Sequence, residues 1–205
     1  MAASQKEVRT ITASALNRIL KSGNSAAQKA ALANLRRGVG HAPGELPQLW
    51  GAFLADMPEE MYGRNGVPSR AERAVYTTLT LFALHQQGRD PIEEPMHREG
   101  QPFGAAVGRL ATGEDTFKRI LRRMNAAASA ADAQALAQHL RGLVQLLRAE
   151  GIPMDYEALA EDIYFYQFPE SVSRIRLKWA QDFYGTYHRN NKTEQNGEDT
   201  QNEEN

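Results

Sequence analysis

Apolar residues recur every three to four positions along most of this chain, and no convincing run alternates strictly, so the pattern predicts helices rather than strands. Residues 117–125, FKRILRRMN, show it in miniature. Phe117, Ile120, Leu121 and Met124 share one face, and Lys118, Arg119, Arg122 and Arg123 crowd the other.

A first helix is expected over 6–20, with Val8, Ile11, Ala15, Leu16 and Ile19 inward, and a second over 26–37, stopping at Gly38 and Gly40. HAPGELP reads as a loop. A third helix begins near Pro47, carries Leu49, Trp50, Phe53 and Leu54 inward, and ends before Pro58. Ser69 and Glu72 form a capping-box pattern ahead of the long helix AERAVYTTLTLFALHQQ.

Residues 88–102, GRDPIEEPMHREGQP, read as a linker between two helical layers. Helices then follow over 103–111, 114–128 and 132–150. Leu136, Leu140, Leu143, Val144 and Leu147 line the last of these, and Gly151 and Pro153 close it. Asp155 suits the N-cap of YEALAEDIYFYQF. The final helix follows Pro169. Its apolar arc centres on Val172, Ile175, Trp179, Phe183 and Tyr187, broadened by Leu177 and Tyr184.

The expected fold is therefore all-α, two packed helical bundles of about eight to nine helices. The first covers 1–95 and the second 96–189, with no internal repeat. Composition agrees. Alanine and leucine number 49 against 14 for valine and isoleucine, which favours helix, and 41% hydrophobic residues in 205 suffice for a substantial core.

The absence of cysteine excludes disulfides, zinc–thiolate sites, iron–sulfur clusters and a cysteine nucleophile. With no apolar run of signal-peptide or membrane-span length, the expected location is the cytoplasm. The formal charge of −1 conceals an asymmetry. Residues 190–205 hold five acidic residues, one lysine and nothing apolar, so a disordered tail is expected there. The remainder holds 23 basic and 20 acidic residues, so any argument for an anionic partner must come from local clustering.

Catalytic chemistry finds little support. His41, His85, His97, His139 and His188 are scattered without a ligand-pair spacing and read as loop or solvent-facing residues. Glu161 and Asp162 are neighbours, which on a helix point about 100° apart, and read as surface or salt-bridging carboxylates. The glycines of RGVGHAPG lack a preceding strand and a GK[ST]. No catalytic residue, metal ligand or cofactor is expected.

The cations are more informative. Lys118–Arg122 and Arg119–Arg123 are i,i+4 pairs, and each like-charge pair costs a few tenths of a kcal/mol in an isolated helix. A surface that keeps such repulsion can hold something negative. Arg141 and Arg148 edge the stripe of the 132–150 helix, and Arg109 projects from the short helix before; packed together, these helices would align their arginines in one track. On the final helix Arg174 and Lys178 lie on the polar side. Arg176 falls inside the apolar arc, where it either snorkels to the rim, pairs with a buried carboxylate or meets a partner. The plainer alternative for the whole set is solvated helix faces.

Five ordered segments carry a resemblance: LRRGVGHAPGELPQLW, YTTLTLFALHQQG, FGAAVGRLA, HLRGLVQLLRAEGIPMDYEALAEDIYFYQFPE and RIRLKWAQDFYG. Over residues 35–185 the chain resembles the small CasB subunit of the type I-E CRISPR Cascade surveillance complex. The resemblance implies an all-helical, two-bundle protein without enzymatic activity, present as a pair of copies beside the guide RNA. It further implies contact with the opened DNA, displaced or target strand, through basic residues that hold the R-loop open.

Carried over, those positions are Arg36, Arg37, Arg109, Arg119, Arg122, Arg123, Arg141, Arg174 and Arg176. Lys118, Arg148 and Lys178 join them from the residue reading alone. The acidic tail departs from the family pattern, and the first helix matches only in general character. The alternative is a structural spacer that docks on protein neighbours and never meets nucleic acid.

Overall fold

The structure, a computed structural model, describes the backbone of residues 5–21 and 25–202, and the side-chain surroundings of residues 7–21 and 25–190. Helices α1 (Gln5–Leu20) and α2 (Ser25–Arg37) are followed by a 3-10 turn (Pro47–Leu49) running into α3 (Trp50–Phe53), then by a second 3-10 turn (Glu59–Met61). The remaining helices are α4 (Arg70–His85), α5 (Phe103–Gly108), α6 (Glu114–Ala128), α7 (Ala133–Glu150), α8 (Tyr156–Tyr166) and α9 (Pro169–Asn202). Among the described residues there is no strand, only two isolated bridges, so the all-α expectation holds. Of the tail expected over 190–205, residues 191–205 lie outside those whose side-chain surroundings are described.

Local chemistry accounts for the helix ends. Ser69 accepts from the Glu72 backbone N–H at 3.0 Å and Glu72 accepts from Ser69 N–H, completing the capping box of α4. Asp132 and Asp155 cap α7 and α8 through the N–H groups of Ala135 and Ala158. Gly151 ends α7 in the left-handed region at φ 64°.

Helix α4 lies at the centre and packs on α1, α2, α7 and α8, which is why nearly all of Ala71 to His85 is buried. A single contiguous core runs through both halves of the chain. Helix α5 lies directly on α9. A Cβ at Gly104 would stand 2.4 Å from the Trp179 carbonyl oxygen, and one at Gly108 would stand 2.7 Å from that of Phe183. These two glycines let the backbones touch.

Some expected inward positions face solvent. Trp50 is 49% exposed, because α3 is a single turn that buries only Phe53, with Leu49 of the preceding 3-10 turn, fully. Leu177 and Tyr184 are also exposed, since α5 and α8 cover only one side of α9. His85, expected toward solvent, is fully buried, with Nδ1 2.9 Å from the Tyr156 hydroxyl. Burial above all, with the Arg89 and Arg148 charges adding to it, lowers its pKa to about 4.

The linker is stitched down rather than free. Met154 N–H donates to the Met96 carbonyl and its own carbonyl accepts from Arg98 N–H, the Gln86 side chain spans Arg89, Glu94 and Met96, and Gly100 N–H donates to Asp155 Oδ2 at 3.1 Å. The same oxygen accepts from Arg9 of α1 at 3.1 Å. Asp155 thus joins α1, the linker and the start of α8.

Candidate nucleic-acid interface

Among the described residues no helix is long and apolar enough to cross a membrane, and no group of His, Asp and Glu is placed to hold a metal ion. The distinctive chemistry is cationic, and it divides into three sets.

The first is the outer face of α6. Ile120 and Met124 anchor the helix in the core, while Arg119, Arg122 and Arg123 are exposed and form no ion pair among the described residues. Lys118 pairs with Glu114 at 2.6 Å. Both partners are exposed, so solvent screens this contact and it yields to a competing anion. Helix α6 packs on α7. There the Arg123 guanidinium lies 3.8 Å from where a Cβ on Gly142 would stand.

The second set lines a cleft of about 740 Å³ between α4 and the α7–α9 side. Arg70 and Arg73 enter it from α4, Arg141 from α7 and Arg176 from α9, with the loop after α2 forming one wall. Arg176, open in the sequence to three fates, reaches the cleft rim. It is exposed, with its guanidinium 5.8 Å from the Tyr166 ring centroid, and it pairs with no carboxylate among the described residues. Arg70 stacks on Phe168 at 4.4 Å. The Tyr166 hydroxyl reaches the Ala128 carbonyl at 2.8 Å, which ties the α6–α7 junction to the cleft floor.

The third set serves the fold. Lys178 reaches the buried Asp162 carboxylate at 2.7 Å, Arg148 Nε donates to the Gln87 carbonyl at 3.1 Å, and Arg109 donates to Gln101 at 2.9 Å. Asp162 takes part in the salt bridge but is not at the surface, and burial raises its pKa in spite of Lys178. Arg174 is exposed, 5.2 Å from the Phe165 ring centroid. Arg36 and Arg37 occupy the last turn of α2, where positive charge also favours the helix terminus.

The anticipated track of α5, α6 and α7 arginines therefore forms only in part. Helix α5 packs chiefly on α9, and Arg109 turns to Gln101, whereas Arg123 lies against Gly142 of α7 and Arg141 reaches toward Gly40. Arg70 and Arg73 were not singled out in the sequence. Their i,i+3 spacing at the start of the best-capped helix is the signal that places both on one face.

The comparisons follow this geometry. A family profile for CRISPR-associated protein Cse2 matches residues 31–184. The crystal structure of CasB from Thermobifida fusca is 32% identical and superposes with a TM-score of 0.68, covering 86% of this chain and 97% of that one. The Cse2-family protein of Thermus thermophilus is 22% identical, with a TM-score of 0.61 over 89% and 99% of the two chains. A chain of a structure described as a CRISPR RNA-guided surveillance complex shares the fold at 19% identity, with a TM-score of 0.69 over 91% and 98%. No curated protein matches the sequence significantly. With three-quarters of its length matched by the profile and a CasB relative aligned almost end to end, the chain belongs to the Cse2 (CasB) family of CRISPR-associated proteins.

Proposed function

We propose that this protein is a non-catalytic subunit of a CRISPR RNA-guided surveillance complex and that its α6 face binds the backbone of the opened DNA, stabilising the R-loop. The observation that carries the reading is the uncompensated Arg119, Arg122 and Arg123 surface. Like charges one helical turn apart oppose folding slightly, and nothing in the described residues neutralises them. Phosphate oxygens would.

Such contacts read no bases and draw their free energy largely from released counterions, so they weaken steeply with salt. Weak contacts suffice, because exchanging a DNA duplex for an RNA–DNA heteroduplex is nearly balanced and a small bias decides it. Assembly beside the guide RNA, with other subunits and a second copy, presents the strand at high effective concentration.

The test is the triple reversal R119E/R122E/R123E in the assembled complex. Normal incorporation by native mass spectrometry with a shortened R-loop lifetime is expected; an unchanged lifetime in an intact complex overturns the strand-holding role. A second reading, the spacer that touches only protein, is favoured by the exposed Trp50 and Val67, which line one shallow hollow on the first half, with the exposed Tyr62 hydrogen-bonded to Leu54 of its wall. In that reading the basic α6 face also docks on acidic protein neighbours, so the same triple reversal fails to join the complex.

A further inference from the structure

We propose that the arginine-lined cleft binds one unstacked nucleotide of a single-stranded nucleic acid, with its phosphate. This rests on the reading above that the protein holds nucleic acid, and it adds a second place where it does so.

Four guanidinium groups from three helices, those of Arg70, Arg73, Arg141 and Arg176, converge on one concave space. Two carboxylates share its walls, and both are engaged. Glu45 pairs with His41 at 2.7 Å, and Asp132 accepts the Ala135 backbone N–H at 2.8 Å. The excess positive charge thus faces one concave space, where field lines concentrate and an anion is drawn in.

Arg70 and Arg176 rest on aromatic rings, which orients their planar groups without neutralising them. Less side-chain freedom is then lost when they meet a phosphate, a partner that matches the guanidinium fork. The remaining walls suit a base. Ala137, Pro43 and Val172 supply flat apolar surface, and the amides of Gln134 and Gln138 supply donors and acceptors.

The volume of about 740 Å³ lies within the range of roughly 300–1,000 Å³ typical of small-ligand sites, too small for a duplex and ample for a nucleotide. An acidic peptide would engage the arginines but leave those flat walls unused. Arg123 of α6 lies against Gly142, the chain neighbour of the cleft residue Arg141.

The test uses full-length protein and a 5′-phosphorylated thymidine dinucleotide, titrated by NMR or calorimetry at low salt. Binding is expected, and R70Q/R73Q and R141Q/R176Q should each weaken it about tenfold or more, as loss of charge-assisted hydrogen bonds implies. The two pairs lie on different helices, so loss in both with unchanged melting temperature excludes local misfolding. The reversal R119E/R122E/R123E should weaken a long oligothymidylate far more than the dinucleotide.

Absence of dinucleotide binding, or insensitivity to both cleft variants, overturns the inference. So does equally tight binding of inorganic phosphate or of a tetraglutamate peptide, which would make the cleft a general anion or protein-docking site. If oligothymidylate still responds to the α6 reversal in those cases, only the cleft inference falls. If it does not respond, the strand-holding reading falls.

Discussion

The indole N–H of Trp179 donates to Asp162 Oδ2 at 2.7 Å, while its chain neighbour Lys178 reaches Oδ1 at 2.7 Å. One buried carboxylate thereby clamps α9 to α8 through two residues that point to different sides of the helix. Removing it strands a buried indole N–H and a half-buried ammonium. Asp162→Ala is expected to lower stability by about 2–4 kcal/mol, and Asp162→Asn, which still accepts from the indole, by less. Urea unfolding at neutral pH measures both.

The α5–α9 contact tolerates no side chain at Gly104, because the nearest atom to an added Cβ is the Trp179 backbone oxygen, which cannot swing away. Gly104→Ala should destabilise by about 1–3 kcal/mol. Gly51, with open space around it in α3, is the control. Gly51→Ala should be neutral or stabilising by up to about 1 kcal/mol. Thermal melts of the pair separate close approach from helix propensity.

His85 predicts a slope of stability with pH. Its pKa is about 4 in the folded protein against an ordinary 6.5, so between these values the unfolded chain binds a proton that the folded chain does not. Stability therefore falls as pH drops through that window, by about 3 kcal/mol in total for this residue. Burial raises the pKa values of Asp162 and Asp182, which acts in the opposite sense. Comparing wild type with His85→Gln cancels those terms, and the variant should show the shallower decline in urea midpoint from pH 6.5 to 4.

Asp155 holds three elements at once, so its loss should release the linker before it unfolds the core. Asp155→Ala removes the α8 cap together with the Gly100 and Arg9 contacts, and a loss of about 2–3 kcal/mol is expected. Limited trypsin digestion should newly cut at Arg89 or Arg98. Resistance equal to wild type would show that the Met154 and Gln86 contacts secure the segment without Asp155.

The exposed arginines should behave oppositely. In R119E/R122E/R123E the urea midpoint should barely move, since none of the three pairs with a carboxylate among the described residues. The slope of log affinity for single-stranded DNA against log salt should fall in magnitude by about two, near 0.7 per lost phosphate contact. Nitrocellulose filter binding across a salt series measures it.

Where a helix begins or ends was decided by contacts within a few residues, and these were legible in the chain. Ser69 with Glu72, Asp132, Asp155 and Gly151 each act on their own neighbours, and their spacing states the outcome before any packing occurs. The alternation of apolar and cationic positions in α6 is equally local. So is the outward placement of Arg119, Arg122 and Arg123, because burying Ile120 and Met124 leaves them no other side.

Which cations meet was a different matter. Arg73 and Arg176 are a hundred residues apart, and only the packing of α4 against α7 and α8, with α9 turning back at Pro169, brings both to one cleft. Lys178 and Arg148 look like free surface charge in the sequence, yet the fold sets a buried carboxylate and a loop carbonyl before them. Trp50 shows the converse, an apolar residue left outside because its helix is one turn long. Periodicity records which side of a helix is apolar; what lies opposite that side, and whether a charge finds a partner there, depends on contacts between residues far apart in the chain, which tertiary structure alone creates.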